Sequence, residues 1–274
     1  MLDFIKPERQ NWRHYFGGFG LLVLAVQFLT GLVLVFFYEP DLKTAYKSVQ
    51  YLTNVVTGGS LARNLHRWVA FSVFLAIIVH TIRTTVRLEF LRPQKRLEWL
   101  TGVLLVPVLF LLLTTGLILP WEWKGYWLME MVPNYFAALP VVGPALKGFF
   151  LESFTLPRYL AIHILILPVI GLVLIDYHFL VKLRKRGIFR YMLRHMAVTL
   201  PFLIAVVVLA TSVTIPSNDP EMIPFPLEGE YIPEPEWYVL TLLLPFYYFK
   251  GAAVPFLSIV LPLTLLLLFA FLPY

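Results

Sequence analysis

Long apolar stretches, separated by short polar and charged ones, recur along the whole chain. Each stretch is close to the about 20 residues with which an α-helix crosses a bilayer. The pattern therefore predicts an all-α, polytopic membrane protein. The six predicted membrane-spanning helices fall at about residues 15–38, 64–86, 99–120, 158–181, 195–215 and 253–272.

Two shorter apolar segments lie between the predicted spans. Residues 135–151 are interrupted by Pro140, Gly143 and Pro144, which predicts a pair of short helices at the membrane surface rather than a span. Residues 236–249 form a similar segment before the last span. We expect residues 1–190 to form a four-helix bundle, and residues 191–274 to form a C-terminal region with two further transmembrane helices.

The composition agrees with this class of protein. Of the 274 residues, 59% are hydrophobic and 14% are charged, which excludes a soluble globular domain. The chain has no cysteine, so it has no disulfide, no thiolate metal site and no thioether-attached haem. The net charge of +6 comes from basic residues in the loops, as membrane topology requires, and does not indicate nucleic-acid binding.

The loop charges predict the orientation. Basic residues cluster before the first span and in the second-to-third and fourth-to-fifth connections, whereas Ser217 to Tyr248 contains no lysine or arginine. By the positive-inside rule the basic loops and the N-terminus are cytoplasmic, and the loop before the last span faces outward. That outer loop carries Asp219, Glu221, Glu228, Glu230, Glu234 and Glu236.

Two of the predicted spans carry a histidine near each end. His66 and His80 are 14 residues apart, so both lie within about 40° of one helical stripe and roughly 21 Å apart along the axis. His163 and His178 are 15 residues apart, which puts them about 60° off a common line in an ideal helix. Pro168 lies between them, and a proline inside a helix permits a local distortion that absorbs such an offset.

These histidines indicate two metal centres. One imidazole in hydrocarbon is explained equally well by a hydrogen bond to a neighbouring helix, but four at matched positions indicate ligands. A single zinc or binuclear centre needs ligands within a few ångströms of one another, which the spacing excludes. Two bis-imidazole sites remain, and in a water-poor bundle core they suit two noncovalent b-type haems. The topology pairs His66 with His163 near the outer face and His80 with His178 near the inner face.

Glycines repeat the histidine spacing in the first and third spans. Gly17 and Gly31 are 14 residues apart, as are Gly102 and Gly116. Glycine is common where membrane helices pack closely, but the repeated spacing indicates room for a macrocycle at two depths. We expect Gly31 and Gly116 beside the outer haem and Gly17 and Gly102 beside the inner one.

Three charged residues lie close to the histidines. Arg67 and Arg83 are candidates for binding the anionic haem propionates, although a charge at the end of a span explains them equally well. Asp176 points roughly 200° away from His178 around an ideal helix. It pairs with a basic side chain at the inner interface or takes up protons at a quinone site, and both interpretations remain open.

Four segments carry a family likeness. They read LHRWVAFSVFLAIIVHTIR, TGLILPWEWKGYW, ALPVVGPAL followed by LPRYLAIH, and PEPEWYVL, which contains a PEWY motif at residues 235–238. From about Asn11 onward the chain resembles the cytochrome b subunit of quinol–cytochrome c or plastocyanin reductases. The spacing of 15 in the fourth span is similar to that of plastid-type cytochrome b6. In the plastid system the PEWY region belongs to a separate subunit, whereas here it continues in the same chain.

The resemblance implies a function. Quinol would be oxidised near the outer face. One electron would go to a Rieske iron–sulfur partner, and the other would cross two b haems to a quinone at an inner site, coupled to proton translocation. The chain would be the core subunit of a quinol:cytochrome c oxidoreductase-type complex, homodimeric, with a c-type cytochrome or equivalent acceptor. It would lie in the cytoplasmic membrane of a prokaryote. Glu236 would accept a quinol proton, and Tyr238 would help to line the pocket.

The residues themselves support Glu236 as well. A quinol hydroxyl needs a base within hydrogen-bond reach, and a carboxylate beside an aromatic pair and an apolar run is poised for that role. Two other functions remain open. A di-haem b anchor of a quinone-reducing dehydrogenase would need no outer pocket, and a transporter could use membrane histidines for protons. The PEWY motif favours quinol oxidation.

Overall fold

The computed structural model describes residues 15–153, 155–184, 187–213 and 236–274, and this part of the chain is helical, with no strand. Its α-helices are α1 (Tyr15–Phe37), α2 (Ala45–Asn54), α3 (Gly59–Val86), α4 (Arg96–Ile118), α5 (Trp123–Ala137), α6 (Gly143–Ser153), α7 (Leu156–Ala161), α8 (Leu167–Ile175), α9 (Val181–Arg184), α10 (Ile188–Ser212), α11 (Leu240–Tyr248), α12 (Ala253–Pro255) and α13 (Leu261–Phe271).

Five stretches of the described chain are long and apolar enough to cross a membrane: Gly18–Phe37, Gly59–Val86, Pro93–Ile118, Leu156–Leu180 and Ala253–Phe271. They confirm the predicted all-α, multi-pass membrane fold. The sixth predicted span is represented by a shorter apolar stretch, Thr199–Ser212, in the second half of α10. The first turns of α10 carry two arginines and a histidine, which shortens its apolar part.

The contacts group the chain into two compact units, each made of separate segments. The first unit comprises Met1–Tyr38, Gln50–Val106 and Leu172–Ile215. Within it α1, α3 and α10 pack together. The amide Nδ2 of Asn64 in α3 donates a hydrogen bond of 3.0 Å to the carbonyl of Ala210 in α10. Because Asn64 is buried, this bond satisfies a polar group that would otherwise oppose the packing of the two helices.

The second unit comprises Glu39–Val49, Pro107–Gly171 and Pro216–Tyr274. Within it α5 packs on α6, and α12 packs on α5. The predicted surface pair of helices corresponds to α5 and α6, but α5 begins already at Trp123 rather than at Tyr135. The division of the chain at residue 190 remains a prediction from the sequence.

Two π-helical turns surround the histidines of the fourth span. They cover Ile162–Ile166, which includes His163, and Asp176–Leu180, which includes His178. In each turn an N–H bonds to the carbonyl five residues earlier, which fits an extra residue into the turn and absorbs the spacing of 15. Pro168 lies two residues after the end of the first π turn and has no N–H for the carbonyl four residues before it. The distortion predicted near Pro168 thus includes the ligand candidates themselves.

Candidate cofactor and quinol sites

His80 and His178 come together in the first unit. Their ring centroids are 6.2 Å apart, and the two ring planes are inclined at 81°. When two imidazoles bind one metal, each metal–nitrogen bond is about 2 Å long. Adding the distance from each nitrogen to its ring centre gives a centroid separation similar to the one observed. Among the described residues there is no cluster of three or more His, Asp or Glu side chains able to hold a metal. A group that takes two axial imidazoles is therefore the kind of metal cofactor that this pair fits.

The hydrogen bonds of His178 fix its tautomer. Its Nδ1 lies 2.8 Å from the backbone carbonyl oxygen of Glu98 in α4. A carbonyl can only accept, so Nδ1 carries the proton and Nε2 keeps its lone pair. Metal-binding histidines commonly donate their other ring N–H in this way. A Cβ on Gly102, also in α4, would lie only 2.7 Å from Cε1 of His178, so this position is closed to larger residues.

His66 has an equivalent environment within the same unit. Its Nδ1 lies 3.0 Å from the hydroxyl oxygen of Thr30 in α1. That hydroxyl has one proton, which it donates to the backbone carbonyl of Val26 at 2.8 Å. The threonine oxygen therefore accepts from Nδ1–H, and Nε2 of His66 is left with the lone pair. A Cβ on Gly31 would lie 3.1 Å from Cε1 of the same imidazole.

The lone pair of His66 has a hydrogen-bond donor of its own. The side-chain amide nitrogen of Gln27 lies 3.1 Å from Nε2, one turn before Gly31 on α1. An amide N–H donates to an imidazole nitrogen that has no proton, which agrees with the tautomer fixed by Thr30. A metal bound at Nε2 would take the place of this amide.

His163 repeats the arrangement in the second unit. Its Nδ1 lies 2.9 Å from the hydroxyl oxygen of Thr115 in α4. This hydroxyl donates to the carbonyl of Leu111 at 2.7 Å, so it too accepts from the imidazole. A Cβ on Gly116 would lie 3.0 Å from Cε1 of His163. His66 and His163 belong to different units, and each is described within its own.

The threonines that orient these rings were not predicted from the sequence. Each directly precedes a glycine that was predicted, so a repeated Thr-Gly pair was the available signal. The pairs are Thr30–Gly31, Thr101–Gly102 and Thr115–Gly116. The oxygen of Thr101 lies 3.4 Å from Nδ1 of His178, beside the shorter bond to Glu98. Gly17 lies in the first turns of α1, but its surroundings fall outside the residues described in full.

The sequence reasoning also passed over His195. Its ring, in the first half of α10, lies against Gly18 of α1, where a Cβ would overlap it. Its Nδ1 donates to the carbonyl of Tyr191 at 2.8 Å. The contact with Gly18 shows that a glycine in this helix can also serve direct packing between a helix and an imidazole.

The charged residues near the histidines are described by contacts with residues close to them in the chain. The guanidinium carbon of Arg67 lies 5.6 Å from the ring centre of Phe71, a cation–π contact along α3. Arg83 occupies the last turn of α3. Asp176 forms an ion pair with Arg184. The ion pair is the first of the two interpretations given for Asp176.

Glu236 and Tyr238 lie together in the second unit. Glu236 directly precedes a short 3₁₀-helix, Trp237–Val239, and its side chain is only 12% exposed. Its carboxylate does not cap that helix; Oε1 lies 3.2 Å from Nζ of Lys124 in α5. Tyr238 is buried. Pro235 and the rest of the acidic loop lie outside the described residues.

Comparison with known proteins gives the family. The model of the family described as cytochrome b/b6/petB matches residues 1–187. The chain belongs to the cytochrome b/b6 family. Cytochrome b6 of Gloeobacter violaceus is 37% identical over 187 residues, which is 66% of this chain and 86% of that one. Cytochrome b6 of Synechococcus elongatus is 36% identical, with the same two shares.

A solved structure shares the whole fold. A chain of a hyperthermophilic respiratory Complex III superposes with a TM-score of 0.78 and 24% identity. The likeness covers 100% of this chain and 78% of that one. The family confirms the resemblance found in the sequence: the chain is a multi-pass, electron-transfer membrane cytochrome that binds haem b. The family match ends at residue 187, so Glu236 lies beyond it.

Proposed function

We propose that this cytochrome b oxidises a quinol near the outer membrane face and reduces a quinone near the inner face, with proton translocation between them. It would do so as the core subunit of a quinol:cytochrome c oxidoreductase-type complex. The observation that carries the proposal is the pair His80 and His178, with ring centroids 6.2 Å apart, together with the proton of His178 held on Nδ1. A histidine pair that keeps a nitrogen lone pair for a metal suits a bis-histidine haem.

The second haem would be bound by His66 and His163 near the outer face. Support comes from their matching local environments: each has a threonine hydroxyl at 2.9–3.0 Å from Nδ1 and a glycine against Cε1. When bound, the two haems would carry single electrons across the membrane. The protein would hold each ring by two imidazoles and leave room for it at four glycines, and two arginines would bind the propionates. These are Gly17, Gly31, Gly102, Gly116, Arg67 and Arg83.

Quinol oxidation would use the region around Glu236. A carboxylate with 12% exposure beside aromatic side chains is a suitable base for a quinol hydroxyl. Tyr238, buried next to it in the chain, would line the pocket. We infer from the complex III and cytochrome b6 likenesses a larger assembly, homodimeric, with a Rieske iron–sulfur protein and a c-type cytochrome or equivalent acceptor. We place it in a prokaryotic cytoplasmic membrane, with the N-terminus inside.

The test is quinol-driven reduction of the b haems in membranes that contain the complex. Reduction that depends on an added quinol and on a functional Rieske partner would support the proposal. A di-haem anchor of a dehydrogenase would instead be reduced by the dehydrogenase's own substrate and would not need the Rieske partner. A purified chain with no b-type haem absorbance would contradict both and favour a transporter.

A further inference from the structure

Lys124 occupies an unusual place at the start of α5. The helix dipole makes the N-terminal turn favourable for acidic side chains and unfavourable for basic ones. The first turn of α5 contains Lys124 and no acidic residue, although the N-cap residue is the buried Glu122. The turn that leads into it is strained, because Trp121 has φ of 52°, which non-glycine residues rarely adopt. Residues that break a local rule in this way are often kept for function.

The neighbours of Lys124 hold this turn in place. Trp123 is buried and its ring stacks on Tyr126, with centroids 5.7 Å apart and planes inclined at 17°. Further along α5, the ring of Tyr135 lies 6.1 Å from that of Phe246 in α11, the helix that follows Glu236. This contact joins α5, which carries Lys124, to α11, which follows Glu236 in the chain. The short distance between Nζ and Oε1 follows from the packing of two elements more than 100 residues apart in the chain.

The two partners differ in their access to solvent. The Glu236 side chain is 12% exposed and that of Lys124 is 34% exposed. A carboxylate removed from water is costly unless an opposite charge accompanies it. The Lys124 ammonium therefore supplies the opposite charge that accompanies the partly buried carboxylate, while it retains contact with water itself.

We propose that Lys124 is a positioning residue for quinol oxidation, which holds the Glu236 carboxylate in the orientation that receives the quinol proton. The inference rests on the proposed function. In the step itself, the O–H bond of the quinol breaks, the proton forms a new O–H bond on the carboxylate, and the electron pair stays on the quinol oxygen. The carboxylate becomes neutral, which weakens its hold on the ammonium.

The experiment compares four variants of the assembled complex: Lys124→Met, Lys124→Arg, Glu236→Gln and the double variant Lys124→Met/Glu236→Gln. The rate of b-haem reduction by quinol is measured after normalisation to the dithionite-reducible haem. Lys124→Met should slow it about 10–100-fold, the usual effect of losing a hydrogen bond between charged groups. Lys124→Arg should restore most of the rate. Lys147→Met, the same substitution on the neighbouring helix α6, is the matched control and should leave the rate unchanged.

The double variant decides whether the lysine acts through the glutamate. If it does, Lys124→Met should slow the Glu236→Gln protein no further. The inference would be overturned if the double variant were slowed by the product of the two single effects. It would also be overturned if the Lys124→Met protein reduced haem as fast as wild type. An arginine variant as slow as the methionine one would overturn it too, since that would make the residue part of the packing. If instead the wild-type complex reduces no haem with quinol, the proposed function itself fails.

Discussion

The hydroxyl oxygen of Thr115 lies 2.9 Å from Nδ1 of His163 and accepts a hydrogen bond from that nitrogen. Because the hydroxyl donates to the carbonyl of Leu111, it accepts from the Nδ1–H of His163. The same logic applies to Thr30 and His66. Each of these threonines therefore prepares Nε2 of a histidine for a metal.

Removing the hydroxyl tests this role. Thr115→Val should weaken haem binding at His163 by about 10–100-fold, the usual loss when a metal-bound histidine loses its hydrogen-bond partner. The effect is measured as the amount of haem that the protein retains on dilution, or as the rate at which its haem transfers to added apomyoglobin. Thr114→Val is a close control, because Thr114 is also buried in α4 and its hydroxyl bonds only to the carbonyl of Leu111 in the described chain. Equal haem loss in the two variants would assign the effect to helix packing.

The haem content should be two b haems per chain, each tied to its own histidine pair. A pyridine haemochrome assay on the purified protein measures it. His163→Ala should remove the outer haem and keep the inner one, and His80→Ala should do the reverse, because each loses one of two axial ligands. A wild-type value of one haem, or a c-type signal, would contradict the assignment.

A large side chain at Gly116 should expel the outer haem. A Cβ there would already lie 3.0 Å from Cε1 of His163, so Gly116→Leu displaces the imidazole. Overpacking alone typically costs about 1–3 kcal/mol, so the bundle should still insert. Gly20→Leu in α1 is the control, since nothing lies within 4 Å of a Cβ at that position. A fully haem-replete Gly116→Leu protein would return this glycine to ordinary helix packing.

Replacing the proposed base should slow chemistry without affecting the haems. Glu236→Gln should reduce quinol-driven reduction of the outer haem by at least about 10²-fold, the lower end for a lost general base. Both haems should remain bound, with unchanged dithionite-reduced spectra. Glu228→Gln and Glu230→Gln, in the same loop, should have little effect. If all three variants slow equally, Glu236 is not the base.

The ion pair of Glu89 with Lys95 predicts a pH effect on stability. Burial by itself would raise the pKa of the Glu89 carboxyl, but the hydrogen bond and charge of Lys95, with Arg92 and Arg83 nearby, lower the pKa below its ordinary 4.5. A lowered pKa means that the ionised form favours the fold, so the stabilisation is present at neutral pH and is lost as the pH falls below that value.

Thermal unfolding of Glu89→Gln against wild type measures this contribution. At neutral pH the variant should be less stable by at most about 1 kcal/mol, because the pair is partly exposed. The difference should shrink as the pH falls below the ordinary pKa of 4.5, because the Glu89 carboxylate becomes protonated and then carries no charge, like the glutamine. A difference that persists unchanged in acid would show that the contact is not electrostatic.

Much of this protein could be predicted from its sequence, because the relevant signals are local. A spanning helix is defined by its own run of apolar residues, so five spans and the all-α fold followed directly. The spacing of His163 and His178 likewise predicted a helical distortion, because an ideal helix cannot align residues 15 apart. Its form was not predictable: the π turns depend on which backbone carbonyls each N–H finds once the helix is packed.

Only the tertiary structure decided what each side chain touches. Gly102 and His178 were predicted from the sequence. The hydrogen bond from the imidazole of His178 to the carbonyl of Glu98 was not, since it joins residues 80 positions apart. Glu236 was likewise predicted and Lys124 was not, because an ion pair between residues 112 positions apart produces no periodic pattern in the sequence. Hydropathy and spacing act along one helix, whereas the tautomer of His178 and the ion pair of Glu236 are set by groups from different helices, which meet only after folding.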